Sequence, residues 1–123
     1  MSVFSPTELD YLSQGGHLGR LATLDTTGFP HVVPLGWQYN AALDTIDIGG
    51  RDEADFVKSR KFRNVQANPK VGFLVDDVLP PFRPRAVQVQ GEAEAIHTAG
   101  KDGGGAVFLI RITPTKVISW GLG

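Results

Sequence analysis

The sequence predicts a mostly β protein, a closed antiparallel barrel of six or seven strands carrying two short helices. Three observations predict it. Only two segments carry helix-start chemistry, the remaining apolar residues fall in short runs or alternate with polar ones, and turn residues separate those runs. A long antiparallel series of this kind is expected to close, because closure removes the unpaired edges that an open sheet exposes. With 123 residues, 41% hydrophobic and 20% charged, residues 1–123 are expected to form a single domain.

The elements follow in order. Ser5-Pro6-Thr7-Glu8 is a capping box with Pro at the first helical position. Leu9 and Leu12 share one face and Gly15-Gly16 supplies the stop, so this helix is expected to be a short lid or brace. His17 to Leu24, Pro30 to Tyr39 and Thr45 to Gly49 read as a meander joined by Asp25-Thr26-Thr27-Gly28 and Asn40-Ala41-Ala42-Leu43-Asp44. A second helix is expected from Ser59 to Asn68, with Phe62 and Val65 on its buried side and Pro69 ending it. Lys70 to Asp76 returns to strand, and Asp77 to Pro84, with three prolines, reads as an irregular loop. Arg85 to Ile96 alternates apolar and polar residues; the Gly-rich turn Gly100 to Gly105 then leads to a final pair, Val107 to Ile112 and Val117 to Trp120.

Composition excludes several classes of function. Twelve Lys and Arg against thirteen Asp and Glu leave a formal charge of -1, without the global footprint of a protein that binds nucleic acid or a membrane surface. The absence of Cys removes disulfides, thiolate zinc sites and thiol nucleophiles. His17, His31 and His97 are widely spaced, so no metal site is expected. The N-terminal segment has no basic region followed by an apolar run and no stretch reaches membrane-spanning length, so a cytoplasmic location is expected. No Gly-x-Ser-x-Gly elbow occurs, and Gly103-Gly104-Gly105 lacks the strand-to-helix context of a phosphate loop.

Chemistry concentrates at Lys58-Ser59-Arg60-Lys61-Phe62-Arg63, four cations in six residues. Ser59 as N-cap puts Arg60 and Lys61 in the first helical turn, where the positive end of the helix dipole disfavours them. A bound anion offsets that penalty, and the free amides, cap hydroxyl and cations together suit a phosphate. The same residues also allow a solvated basic face neutralised by Asp52, Glu53 and Asp55.

Ser59-Arg60-Lys61, followed by Asn68-Pro69 and the strand Val71 to Val75, resembles the phosphate-binding helix and next strand of the pyridoxamine 5'-phosphate oxidase superfamily, the flavin-binding split barrels. Asp25 to Pro30 resembles the family's first hairpin, Arg85 to Glu92 its long strand, and Arg111 through Gly121 its C-terminal strands, so the resemblance covers nearly the whole chain. It implies a split β-barrel, with phosphate ligands at Arg60 and Lys61 beside Ser59. It further implies a ring-flanking strand at Val33, Pro34, Leu35, Gly36, Trp37 and Gln38, ring and ribityl contacts near Ile48 and Gly49, and Trp120 as an aromatic brought from a partner subunit. As residues alone, Trp37 equally suits core or a subunit interface, and Trp120 equally suits core.

Departures from the family pattern narrow the expectation. The vitamin-making oxidases place an Arg and His motif after the equivalent of Trp120, whereas this sequence stops at Gly123, so that activity is not expected. Val33 stands where the family has an Arg, Ala86 where it has a Gln, and Pro34 removes a backbone donor from the ring-flanking strand. Gly19-Arg20-Leu21-Ala22-Thr23 and Pro30-His31-Val32-Val33-Pro34 resemble the branch assigned to the deazaflavin coenzyme F-420, and Lys58, Lys61 and Arg63 suit that cofactor's phosphodiester and oligoglutamate tail. The resemblance implies a reductase that passes a hydride to a small organic acceptor, with no residue standing out as acid or base. An FMN-dependent oxidoreductase and a non-catalytic cofactor carrier are the alternatives. A barrel this small is not expected to enclose a tricyclic ring alone, which implies a homodimer with its sites at the interface.

Overall fold

A computed structural model describes residues 2–49, 59–98 and 107–123. Lys58, the acidic residues Asp52, Glu53 and Asp55, and the Gly100 to Gly105 turn lie outside the described residues. Helix α1 (Pro6–Ser13) precedes strands β1 (Gly19–Leu24), β2 (Pro30–Leu35), β3 (Gln38–Asn40) and β4 (Thr45–Gly49). Helix α2 (Arg60–Ala67) then leads to β5 (Lys70–Leu79), β6 (Arg83–Thr98) and β7 (Val107–Trp120). All the strand pairs are antiparallel, in one seven-stranded sheet of order β2-β1-β5-β6-β7-β4-β3.

Among the described residues this is the mostly β, split-barrel architecture with two short helices, and it corrects the expectation of closure. Consecutive β2 and β3 lie at opposite edges of the sheet, and the expected continuous strand Pro30 to Tyr39 is broken at Gly36-Trp37. The break has a local cause. The Trp37 indole N–H donates to the His17 carbonyl at 3.0 Å and its ring packs edge-on against Phe73 at 5.7 Å, turning the chain out of the β1 ladder. Pro30 and Pro34 sit on an edge strand, where a missing N–H costs no central ladder bond.

Two further segments differ from expectation. The proline-rich Asp77 to Pro84 is a hairpin: β5 runs to Leu79, β6 starts at Arg83, and a cis Pro80-Pro81 bond lies in the turn. The expected pair of C-terminal strands is one strand, β7, with a bulge opposite Gln90 and Gly91. There Gln90 pairs with Lys116 but Gly91 with Pro114, so Thr115 is the extra residue, and its hydroxyl donates to the Gln90 carbonyl at 3.1 Å.

The core lies on one face of the curved sheet. Leu21, Phe73, Val75, Val87, Val89, Ile110 and Ile112 alternate inward and meet Phe62 and Val65 of α2 and Tyr11 and Leu12 of α1. The α1 capping box forms as expected, and Glu8 also accepts from the Ser119 hydroxyl at 2.6 Å, tying the helix to β7. Among the described residues no helix is long and apolar enough to cross a membrane.

Candidate cofactor and substrate site

The structure separates the sequence-predicted site residues into three groups. The first is the start of α2. Ser59 caps it, accepting from the Phe62 amide at 3.3 Å, and the first turn contains Arg60 and Lys61 but no acidic residue. The helix is anchored one turn further on, where the Asn64 amide donates to the Thr23 hydroxyl at 3.0 Å between buried residues. Thr23 is the cross-strand partner of His31 on β2, so the cationic helix start and the β2 face carrying His31, Val33 and Leu35 belong to one side of the sheet.

The second group surrounds the split. Val33 is partly exposed, Pro34, Gly36 and Gln38 are exposed, and Leu35 and Trp37 pack on the core. Gln38 pairs with Asp47, which brings the split beside Ile48 and Gly49 on β4. Ile48 is itself fully buried, so only its backbone is open to a ligand, whereas Gly49 is exposed. A cavity of about 310 Å³ opens here, lined by Trp37, Gln38 and Tyr39 on one side and by Leu12, Ser13 and His17 on the other.

The third group is Trp120 alone. It pairs with Ala86 at the end of β7, on the face away from the core, and is 47% exposed. Three strands separate it from β2, about 19 Å along the sheet at the usual strand spacing. Within one chain Trp120 therefore does not join the other predicted residues. Its own face carries the exposed Val32, Val78 and Ile118 and a groove of about 630 Å³ floored by Ala22 and Gly72.

Behind the smaller cavity stands a polar network that sequence reasoning missed. Asp77 accepts from the Tyr11 hydroxyl at 2.9 Å and from Arg85 Nε and Nη2 at 2.9 and 2.7 Å, and His17 Nε2 lies 3.4 Å from its Oδ2. The Arg85 bonds, then the Tyr11 bond, hold the Asp77 carboxyl down at about 2 against the opposing effect of burial. Tyr11 is pushed far up by burial first and by Asp77 second, so it stays a neutral donor. Asp77 and Arg85 are direct cross-strand partners, which the reading of this segment as a loop concealed. The sequence signal was a His immediately after a Gly-Gly helix stop.

The second histidine contact is structural. Asp25 accepts from the Thr27 hydroxyl and amide and the Phe29 amide at 2.7 to 2.9 Å, and His31 Nε2 lies 3.1 Å from its other oxygen. These bonds, the Thr27 hydroxyl foremost, keep Asp25 ionised and fix the β1–β2 turn, where Gly28 takes φ 84°. Among the described residues no three metal-ligating side chains gather.

The donor set fits a phosphorylated, planar cofactor. A capped helix start with cations and no first-turn carboxylate suits a phosphate, and the unpaired outer edge of β2 offers backbone groups to a polar ring edge, less the donor that Pro34 lacks.

The family profile of pyridoxamine 5'-phosphate oxidase matches residues 6–121. The chain belongs to that family. It is a family of oxidoreductases. The family member is 42% identical, over 97% of its length and 84% of the relative's, to a 5a,11a-dehydrotetracycline/5a,11a-dehydrooxytetracycline reductase of Streptomyces rimosus. Among solved structures, a conserved hypothetical protein of Mycobacterium tuberculosis superposes with a TM-score of 0.74 at 21% identity, over 98% of this chain and 86% of that one. A protein described as an F420 reductase superposes with a TM-score of 0.63 at 21% identity, over 89% of this chain and 94% of that one.

Proposed function

We propose that this family member is a reductase that uses the deazaflavin coenzyme F-420 to reduce an unsaturated small organic acceptor. The observation that carries the reading is the 42% identity, along almost the whole chain, to a reductase whose named substrates are dehydrotetracyclines. The bound cofactor supplies two electrons and a hydrogen at its ring. Ser59, Arg60 and Lys61 hold its phosphate end, with Lys58 and Arg63 adding charge for an anionic tail. The segment Val33 to Gln38, from the end of β2 across the split to the start of β3, lies along the ring with Gly49 beside it, and Trp37 keeps its core position at the split.

A second copy completes the site. Trp120 is half exposed and remote from its own β2, and Asp76 Oδ1 on the same outer face is buried without a hydrogen-bond partner among the described residues, 3.8 Å from Arg20 Nη2. Both observations support a homodimer in which this face is covered and Trp120 reaches the partner's cofactor. FMN is the second reading, favoured by the family's namesake oxidases.

Incubation of the protein with reduced deazaflavin and a dehydrotetracycline, followed by the return of the oxidised cofactor's visible absorbance, tests the activity. Acceptor-dependent oxidation that FMN does not replace is expected. Turnover with reduced FMN alone, or cofactor binding with no turnover of any conjugated acceptor, would remove the deazaflavin reductase reading.

A further inference from the structure

We propose that the 310 Å³ cavity between α1 and the β2–β3 split is the acceptor subsite, and that His17 is its acid, holding the acceptor's carbonyl oxygen and delivering the proton that reduction requires. The proposal rests on the reductase reading and names the group which that reading lacks.

The cavity has a polar and an apolar wall. Leu12 and the rings of Trp37 and Tyr39 suit a flat, conjugated carbon frame, and Gln38 and His17 suit its oxygen atoms. His17 is held for this task on every side that packs against it. From β5, Asp77 faces Nε2 at 3.4 Å; from α1, the Tyr11 ring stacks on the imidazole at 5.4 Å and 20°. From β6, Arg85 binds the same carboxylate and lies 4.9 Å from the Tyr11 ring centroid. The His17 carbonyl accepts from Trp37, which joins the histidine's backbone to the split. With Nε2 facing Asp77, Nδ1 is the nitrogen left for a ligand, and it has no hydrogen-bond partner among the described residues. Gly15 and Gly16, at φ 74° and 76°, turn the chain so that residue 17 faces back across the end of α1.

The balance of the step follows from a conjugated carbonyl acceptor. Two electrons and one hydrogen reach the β-carbon from the reduced cofactor, and the carbon–carbon π pair moves toward oxygen to give an enolate. The proton on His17 Nδ1 then passes to the enolate oxygen that it holds, and the enol becomes the saturated ketone by losing that proton to solvent and gaining one from solvent at the α-carbon. His17, still directed by Asp77, regains its proton from solvent. The acceptor is reduced by two electrons and the cofactor oxidised by two.

The test uses 4-nitrophenol, a planar oxyanion whose visible absorbance reports its ionised form, with the cofactor-free full chain. Wild type is expected to bind it as the phenolate, and His17→Gln to lose at least about tenfold in affinity, while His97→Gln, far along β6, changes nothing. With reduced deazaflavin and 2-cyclohexen-1-one, His17→Gln is expected to lower kcat with KM little changed. Should the variant not fold, imidazole NMR of wild type replaces it: 4-nitrophenol must shift His17 Nδ1. Equal binding and rate in His17→Gln, or an unshifted His17 resonance, would leave His17 a brace and overturn the proposal. If cofactor binding and turnover survive that result, only this inference falls. If 4-nitrophenol binds through His17 but no cofactor binds, the reductase reading falls and the subsite stands.

Discussion

Asp77 gathers side chains from α1, the α1–β1 link and β6 onto one carboxylate, and this explains why its proton is lost so easily. Its folded value of about 2 lies below the ordinary 3.8, so it contributes stability that is present above pH 4 and is lost as pH falls from about 4 to 2. Asp25 is lowered as well, with the same sign. Acid denaturation followed by circular dichroism should therefore show stability falling through that window, and Asp77→Asn should make the fall shallower while lowering stability at pH 7. At the helix start, Arg60→Ala should weaken cofactor binding by ~1.5 to 3 kcal/mol, roughly 10-fold to 150-fold, the range for hydrogen bonds to charged groups. The apo melting temperature should hold or rise slightly, because a cation leaves the positive end of the helix dipole. An isotherm and a melt with and without cofactor measure both effects; unchanged affinity with a lowered apo melt would assign Arg60 to the fold. The Ser59 cap, with Arg60 and Lys61 in the first helical turn, was legible because capping is a local rule. The His17–Asp77 pair was not, because its members are 60 residues apart and meet only through the β1–β5 ladder.

At the scale of elements, the legible features were those that one segment determines. The capping box of α1, the Ser59-capped α2 ending before Pro69, and the alternation of β6 all form as their sequences imply. The errors at the β5–β6 hairpin and along β7 share one cause. Prolines at 80, 81, 84 and 114 read locally as breaks, yet the partner strand accommodates each: a tight hairpin turn takes the first two, Pro84 pairs with Val78 in the β5–β6 ladder, and a bulge takes Pro114. Gly91 makes the bulge possible, since a Cβ there would lie 2.6 Å from the Thr113 carbonyl oxygen and 2.9 Å from Ile112 Cγ2. Gly91→Ala should destabilise by about 1 to 3 kcal/mol, the usual cost of overpacking, seen as a lower urea midpoint with an unchanged slope. An unchanged midpoint would mean that β7 shifts without penalty at its bulge.

Across the whole molecule, a sheet that splits at Gly36-Trp37 leaves two kinds of surface. The split carries the cavity and the β2 edge, and the outer face carries Trp120, Ile118, Val32 and the wider groove. Closure was the wrong expectation because counting strands says nothing of which edges meet; the likeness to split barrels carried that information. Light scattering at micromolar concentration should give a dimer, and Ile118→Lys should shift it toward monomer and weaken cofactor binding, whereas Phe82→Lys, in the β5–β6 turn, should not. A monomer that binds cofactor tightly would separate the two properties and detach Trp120 from the site.

The proposed reductase reading requires a site that prefers a deazaflavin to FMN. Titration of the cofactor-free protein with each, followed by intrinsic Trp fluorescence at two salt concentrations, tests it most directly. F-420 is expected to bind at least about tenfold tighter than FMN, a difference of ~1.4 kcal/mol, and salt to weaken the F-420 isotherm more because its tail carries more charge. Equal or tighter binding of FMN, or protein that purifies with stoichiometric FMN, would contradict it.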